Sequence, residues 1–284
     1  HGDTTTALGS ALASYYMGIP IGHVEAGLRT NNLKFPFPEE ANRQLVDRLS
    51  DFCFAPTAMN KSNLLAENIP KDKIYITGNT VIDAMLITLS NINTSRKLED
   101  TINKNLKELL GFTLHKKIVL ITGHRRENFG KGLLNLCSAI DELAKKYSDY
   151  DFIYPVHLNP NVLQPVTKLL NDKRNVHLID PLDYESFLYL ISKSHFIISD
   201  SGGIQEEAPG LGKPVLVTRN ETEREEAVEA KTVKLVGNNK SKIISEASLL
   251  IESKEEYLGM SKAKNPYGDG KSADLITKII ENNL

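Results

Sequence analysis

The chain has 284 residues, 40% hydrophobic and 25% charged, which suits one large or two medium domains with a buried core. A formal net charge of −2, with no strong basic block, argues against nucleic acid as the main partner. No apolar run of about 18 residues and no signal peptide is visible, and Cys53 and Cys137 stand alone in apolar segments. The reading is therefore a reducing compartment, the cytoplasm, with no membrane span, disulfide scaffold or metal site.

Taken in order, the spacing predicts helices over 4–16, 39–49, 59–67 and 80–89, and strands at 21–25, 52–55 and 73–77. Gly18 and Pro20 end the first helix, and Pro38 opens the second. Such βα alternation with short connections marks a parallel sheet, and residues 1–92 read as one Rossmann-like lobe. Residues 93–116 are polar and read as a linker with one helix near 98–110. Strands follow at 118–122, 152–155, 176–178, 196–199, 215–217 and 233–236, with helices near 132–146, 162–171 and 184–192. That is a doubly wound second lobe over 117–264, nucleotide-binding in type, which also holds helices at 243–251 and 255–263. Residues 265–284 hold the turn cluster N-P-Y-G-D-G and a last helix, expected to pack back on the first lobe.

The expected fold class is α/β with two Rossmann-like lobes and a cleft between the carboxyl ends of their sheets. The first lobe is expected to be incomplete. The chain opens on H-G-D-T-T-T, which reads as a strand end and the turn after it, so an N-terminally truncated copy is expected.

The stretch 195–219 organises the rest. Phe196, Ile197 and Ile198 form a buried strand, S-D-S-G-G turns the chain at 199–203, and a helix over 204–211 leads to the next strand. Two readings stand. The turn binds phosphate at a helix start, with Glu206 and Glu207 near sugar hydroxyls, or Ser and Glu only satisfy that helix end.

Asp3, Glu25 and Glu39 lie at adjacent strand or loop ends. Convergence would raise the pKa of one of them; otherwise they are surface acids with an i,i+4 Glu39–Arg43 pair. His124, Arg125 and Arg126 follow a strand and suit an anionic ligand, or are solvated. His157 sits at the end of the next strand, and Phe187 faces either a flat base or the core. No P-loop, CxxC, HExxH or G-x-G-x-x-G is present, so no metal and no cofactor is expected. Elimination and re-addition around a nucleotide leaving group needs none of them.

H-G-D-T-T-T, G-H-V-E-A-G-L-R-T, P-E-E-A-N-R, T-G-N-T-V-I-D, G-H-R-R-E-N, P-V-H-L-N-P, S-D-S-G-G-I-Q-E-E-A-P and N-P-Y-G-D-G, in this order, resemble the non-hydrolysing UDP-N-acetylglucosamine 2-epimerases of bacteria. The resemblance covers essentially the whole chain and implies the two-lobed GT-B fold. It implies an isomerase that interconverts UDP-N-acetylglucosamine and UDP-N-acetylmannosamine through a glycal intermediate, for cell-surface polysaccharide. It implies Asp3, Glu25 and Glu39 as acid/base carboxylates and His124 as a further active-site residue. Arg43 would support the diphosphate, Ser201, Gly202 and Gly203 would hold it, Glu207 would take the ribose hydroxyls and Phe187 would lie near uracil. Arg125 and His157 match positions linked to allosteric activation by UDP-N-acetylglucosamine, and a homodimer is expected. Two departures stand out: the family's opening strand and G-T-R-P-E turn are not in this chain, and Glu225 stands where the family usually has proline. On this reading the chain as given is expected to be inactive. The alternatives are a GT-B glycosyltransferase using a UDP-sugar and a non-catalytic UDP-sugar-binding fragment. The carboxylate set favours proton abstraction over simple transfer.

Overall fold

The structure, a computed structural model, describes residues 1–123, 125 and 128–283. The chain forms two compact units: His1–Ala84 with Thr222–Glu226 and Pro266–Leu284, and Met85–Glu221 with Ala227–Asn265.

In the first unit α1 (Thr5–Tyr16), β1 (Gly22–Val24), α2 (Glu39–Leu49), β2 (Phe52–Ala55), α3 (Ala58–Ala66) and β3 (Ile74–Ile76) alternate. Among the described residues its sheet is three-stranded and parallel, in the order β1-β2-β3, with Val24 beside Phe54 and Ala55 beside Ile76. Parallel strands need crossovers, and a helix follows each strand here. Thr4 accepts from the Ala7 N–H to start α1, and Thr57 with Asn60 forms a capping box at α3. The helix α2 turns Glu40, Asn42, Arg43, Val46 and Asp47 inward, so its buried face is mostly charged. Ala26, Cys53, Ala55, Leu64, Ile69 and Ile74 form a small apolar core against α3.

The helix α4 (Thr80–Thr94) is longer than expected and runs into the stretch read as a linker; the division between the units falls within it. Ser95 then caps α5 (Arg96–Leu110) by accepting from the Leu98 N–H. The polar composition of this stretch reflects exposed helix faces, with Ile102 and Leu106 buried on the other side. The second unit continues with β4 (Lys117–Thr122), α6 (Lys131–Lys146), β5 (Tyr150–Pro155), α7 (Pro160–Leu170), β6 (Val176–Ile179), α8 (Tyr184–Lys193), β7 (Ser194–Ser199), α9 (Ile204–Gly210) and β8 (Val215–Val217); the short α10 (Glu225–Glu229) begins in the first unit's segment, and β9 (Val233–Leu235), α11 (Lys240–Glu252) and α12 (Lys254–Ser261) complete the second. The chain ends with α13 (Ser272–Asn283), which groups with the first unit.

The second sheet is six-stranded and parallel among the described residues, in the order β6-β5-β4-β7-β8-β9. Its order reverses between β4 and β7, and ligands in such sheets bind outside the carboxyl ends of the strands at that reversal. The strands β4, β5, β7 and β8 are nearly continuous buried runs, as a sheet covered on both faces requires. Val119, Ile121, Leu136, Ile140, Phe152, Phe196, Ile198 and Leu216 belong to one large core beneath α6 and α11. Among the described residues no helix is long and apolar enough to cross a membrane.

Candidate active site

In the first unit the turns after the strands carry the acids. Glu25 directly follows β1 with φ 79, a left-handed backbone that non-glycine residues seldom adopt. Local strain of this kind collects at functional sites. The N–H groups of Glu25 and Ala26 both reach the Phe54 carbonyl, at 3.2 Å each, and pin that turn on β2. The Glu25 carboxylate accepts from Asn79 Nδ2 at 2.9 Å, after β3, and lies 3.4 Å from Arg224 Nη2. Arg224 also pairs with Glu223 at 2.5 Å, and Glu226 accepts from Thr57 Oγ1 at 2.5 Å and from the Tyr267 hydroxyl at 3.3 Å. The segment 222–226 therefore belongs to the surroundings of Glu25, although it lies far away in sequence. The sequence alone does not mark Arg224, Glu226 or Asn79 as site residues, although Asn79 lies in the T-G-N-T motif and Arg224 and Glu226 flank Glu225.

Asp3 meets Arg43 Nη2 at 2.6 Å. Burial pushes its carboxyl above the ordinary range; Arg43 opposes that, and the nearby Glu25 charge adds to it. Asp3 and Glu25 are thus electrostatically coupled. Arg43 is buried, bound to Asp3 and 3.4 Å from Glu40; no Glu39–Arg43 pair forms among the described residues. Glu39 is half-buried on the first turn of α2. Its neighbour Glu40 is fully buried and accepts from the Thr30 N–H, the Asn31 N–H and Gln44 Nε2, which fastens the loop leading into α2. Adjacent glutamates look alike in sequence, and only the direction of the helix separates them.

In the second unit the β4 and β7 ends lie side by side, Thr122 opposite Ser199, with their hydroxyls 2.6 Å apart. Ser199 Oγ accepts from the Ser201 N–H at 2.9 Å and shapes the turn. The fully buried Asp200 accepts from the Arg125 N–H at 3.0 Å and from Asn128 Nδ2 at 2.9 Å, so it ties the β4 loop to the β7 loop. Ser201, Gly202 and Gly203 lead into α9. Among the described residues a Cβ on Gly203 would meet only Glu207 Oε2, in ordinary contact at 3.7 Å, so a side chain there would not clash with them. Glu207 is buried and accepts from the Tyr184 hydroxyl at 2.8 Å. Burial raises its pKa, and the Tyr184 bond opposes the rise; burial and then Glu207 raise that of Tyr184. Phe187 is half-buried on α8. His157 is exposed, and its Nδ1 accepts from the Asn159 N–H at 3.1 Å. His124 lies outside the described residues.

A parallel α/β unit with a glycine turn at its strand reversal, and a second with coupled carboxylates at its strand ends, describe a nucleotide-sugar enzyme of GT-B type. A family profile described as UDP-N-acetylglucosamine 2-epimerase matches residues 1–281. The chain is 52% identical over 284 residues to the UDP-N-acetylglucosamine 2-epimerase of Neisseria meningitidis serogroup A, covering 100% of this chain and 75% of that one. The crystal structure of UDP-GlcNAc 2-epimerase from Neisseria meningitidis bound to UDP-GlcNAc matches with a TM-score of 0.94 at 51% identity, over 99% of this chain and 75% of that one. The S. aureus MnaA–UDP structure matches with a TM-score of 0.89 at 45% identity, over 99% of this chain and 74% of that one. This chain belongs to the UDP-N-acetylglucosamine 2-epimerase family.

Proposed function

We propose that the protein interconverts UDP-N-acetylglucosamine and UDP-N-acetylmannosamine, with Asp3, Glu25 and Glu39 as its acid/base groups. A carboxylate removes the proton from C2 of the sugar. The C1–O bond to UDP breaks, its electron pair leaves with the diphosphate, and a C1–C2 double bond forms. UDP then adds back to C1 while a proton is delivered to the opposite face of C2. The observation that carries this reading is the coupled pair Asp3 and Glu25: one carboxyl is held above its ordinary range beside another in a strained turn. A buried carboxyl held above its ordinary range suits proton removal and return.

Arg43 orients Asp3, and Arg224 and Asn79 orient Glu25. Ser201, Gly202 and Gly203 take the diphosphate, supported by the room beside Gly203 among the described residues and the strand reversal beneath the turn. Glu207 takes ribose hydroxyls, with Tyr184 holding its carboxylate, and Phe187 stands by the uracil. His124 is assigned a further active-site role by the family motif alone, and that motif also supports Arg125 and His157 as an activator site for UDP-N-acetylglucosamine. The same resemblance supports a homodimer. The two cysteines, both buried and free, support a reducing cytoplasm, and the resemblance alone supports a role in supplying sugars for cell-surface polysaccharide.

Incubation of the chain extended by the family's opening strand and G-T-R-P-E turn with UDP-N-acetylglucosamine alone in heavy water tests the reading. UDP-N-acetylmannosamine carrying deuterium at C2 is expected. No reaction without an added acceptor would favour a glycosyltransferase, and binding without any exchange would favour a binding protein.

A further inference from the structure

His23 lies in β1, two residues before Glu25, and is 2% exposed. Its Nδ1 lies 2.6 Å from Asp47 Oδ1, and its Nε2 lies 2.9 Å from the Gly2 carbonyl oxygen. A carbonyl oxygen has no proton to give, so Nε2 carries one. Asp47 is a carboxylate. Arg29 Nη2 stands 2.8 Å from its Oδ2, and the Gly27 N–H donates to the same oxygen at 3.1 Å. Nδ1 therefore donates as well, and the ring is an imidazolium.

The charges agree with this assignment. Arg29 also grips Glu67 through Nε at 2.6 Å and Nη2 at 2.7 Å. Two cations, His23 and Arg29, then balance two carboxylates, Asp47 and Glu67. A neutral ring would leave one negative charge in surplus in this cluster, where Asp47 is fully buried and Glu67 is partly exposed.

The other end of this row is Gly2, and the next residue is Asp3. The Asp3 carboxylate meets Arg43 Nη2 at 2.6 Å, and its carbonyl accepts from Asn42 Nδ2 at 2.9 Å. Asn42, Arg43 and Asp47 all lie on the inward face of α2. That helix thus grips the 2–3 peptide by the carboxylate, by the following carbonyl and, through His23, by the preceding carbonyl. Glu25 Oε2 lies 3.6 Å from where a Cβ on Gly2 would stand, so the same short segment borders both carboxylates.

We infer that His23 is a positively charged positioning residue: its imidazolium, paired with Asp47, clamps the Gly2 carbonyl and so sets the Asp3 carboxyl in place against Arg43 and Glu25. The inference rests on the reading of Asp3 as an acid/base group for its catalytic meaning, but not for its geometry. An ion cluster serving stability alone needs no donor on Gly2.

Three readouts test it. Nitrogen-15 NMR of the ring in the wild-type protein at neutral pH should show protons on both nitrogens of His23; a single neutral tautomer overturns the clamp. H23Q keeps one amide donor and cannot bridge Asp47 to Gly2. Carbon-13 titration of the Asp3 carboxyl, which faces Arg43, Glu25 and Arg224, should show its midpoint moving up in H23Q as the Arg43 contact loosens while burial and Glu25 remain. An unchanged midpoint in a folded H23Q overturns the inference. Displacements of about 1 Å cost on the order of 10²-fold in rate, so kcat should fall by about that factor with KM little changed; wild-type kcat in H23Q also overturns it. A wild-type protein without C2 exchange sinks the epimerase reading instead, and the two NMR readouts still decide the clamp. The ring measurement needs no variant, so a misfolded H23Q leaves a decisive result.

Discussion

Asp3 carries two consequences that separate chemistry from stability. Its carboxyl titrates above the ordinary range because burial outweighs Arg43. The folded state therefore holds the Asp3 proton to higher pH than the unfolded chain does. The stability from Asp3 is fully present below the ordinary carboxylate range and is lost as pH rises through its folded titration. Asn copies the protonated form. Asp3→Asn should leave Tm at pH 7 unchanged or higher, with any advantage gone in acid, while activity falls about 10²–10⁴-fold. Thermal melts at pH 3 and pH 7 beside an epimerase assay check both halves, and a lower Tm at pH 7 contradicts the sign. Glu25→Gln should cost a similar factor in rate and abolish deuterium entry at C2. Glu207→Gln should weaken UDP by about 1–3 kcal/mol, since it replaces a charged acceptor for ribose by a neutral one; calorimetric titration measures it.

At the scale of elements, two glycines make opposite predictions. Gly27 follows the Glu25 turn at φ +85, and a Cβ there would stand 2.3 Å from the Asn60 carbonyl oxygen at α3. Backbone cannot give way there, so Gly27→Ala should cost at least about 3 kcal/mol in a urea melt, from the clash and the strained conformation together. Gly203 has an ordinary helical backbone and, among the described residues, room beside it for a methyl group. Gly203→Ala should melt like the wild type and yet bind UDP more weakly, because the added methyl occupies ligand space. Equal UDP affinity would remove Gly203 from the site. The helix α2 gives the corresponding lesson for charge: Asp47→Asn removes the negative charge and leaves one acceptor oxygen where His23 and Arg29 use two, and breaking such a buried network costs about 3–5 kcal/mol.

At the scale of the whole molecule, the two units have unequal cores. Among the described residues the second holds a large apolar cluster that reaches β4, β5, β7 and β8, whereas the first holds small apolar clusters and a buried helix face rich in charge. Local opening is easiest where few apolar contacts close it. Hydrogen exchange should be slowest in β4 and β7, and clearly faster in β1, β2 and β3. Equal protection in both sheets would contradict this account.

Much of this was legible in the chain itself. Continuous apolar runs such as 118–121 and 196–198 mark strands buried on both faces, and Gly18 with Pro20 marks a helix end, because these signals are local. The family motifs pointed in the same way to Glu25 and the S-D-S-G-G turn as candidates. The polar stretch after residue 90 misled, since exposed helix faces and linkers share a composition, and α4 runs on to Thr94. What tertiary structure alone decided is which charged groups meet. Glu40 rather than Glu39 turns inward, Arg43 faces Asp3, Arg224 reaches Glu25 from 199 residues away, and His23 joins Asp47 to Gly2. Ion pairs between distant residues leave no periodic trace in sequence, because their partners are chosen by the fold that first buries them.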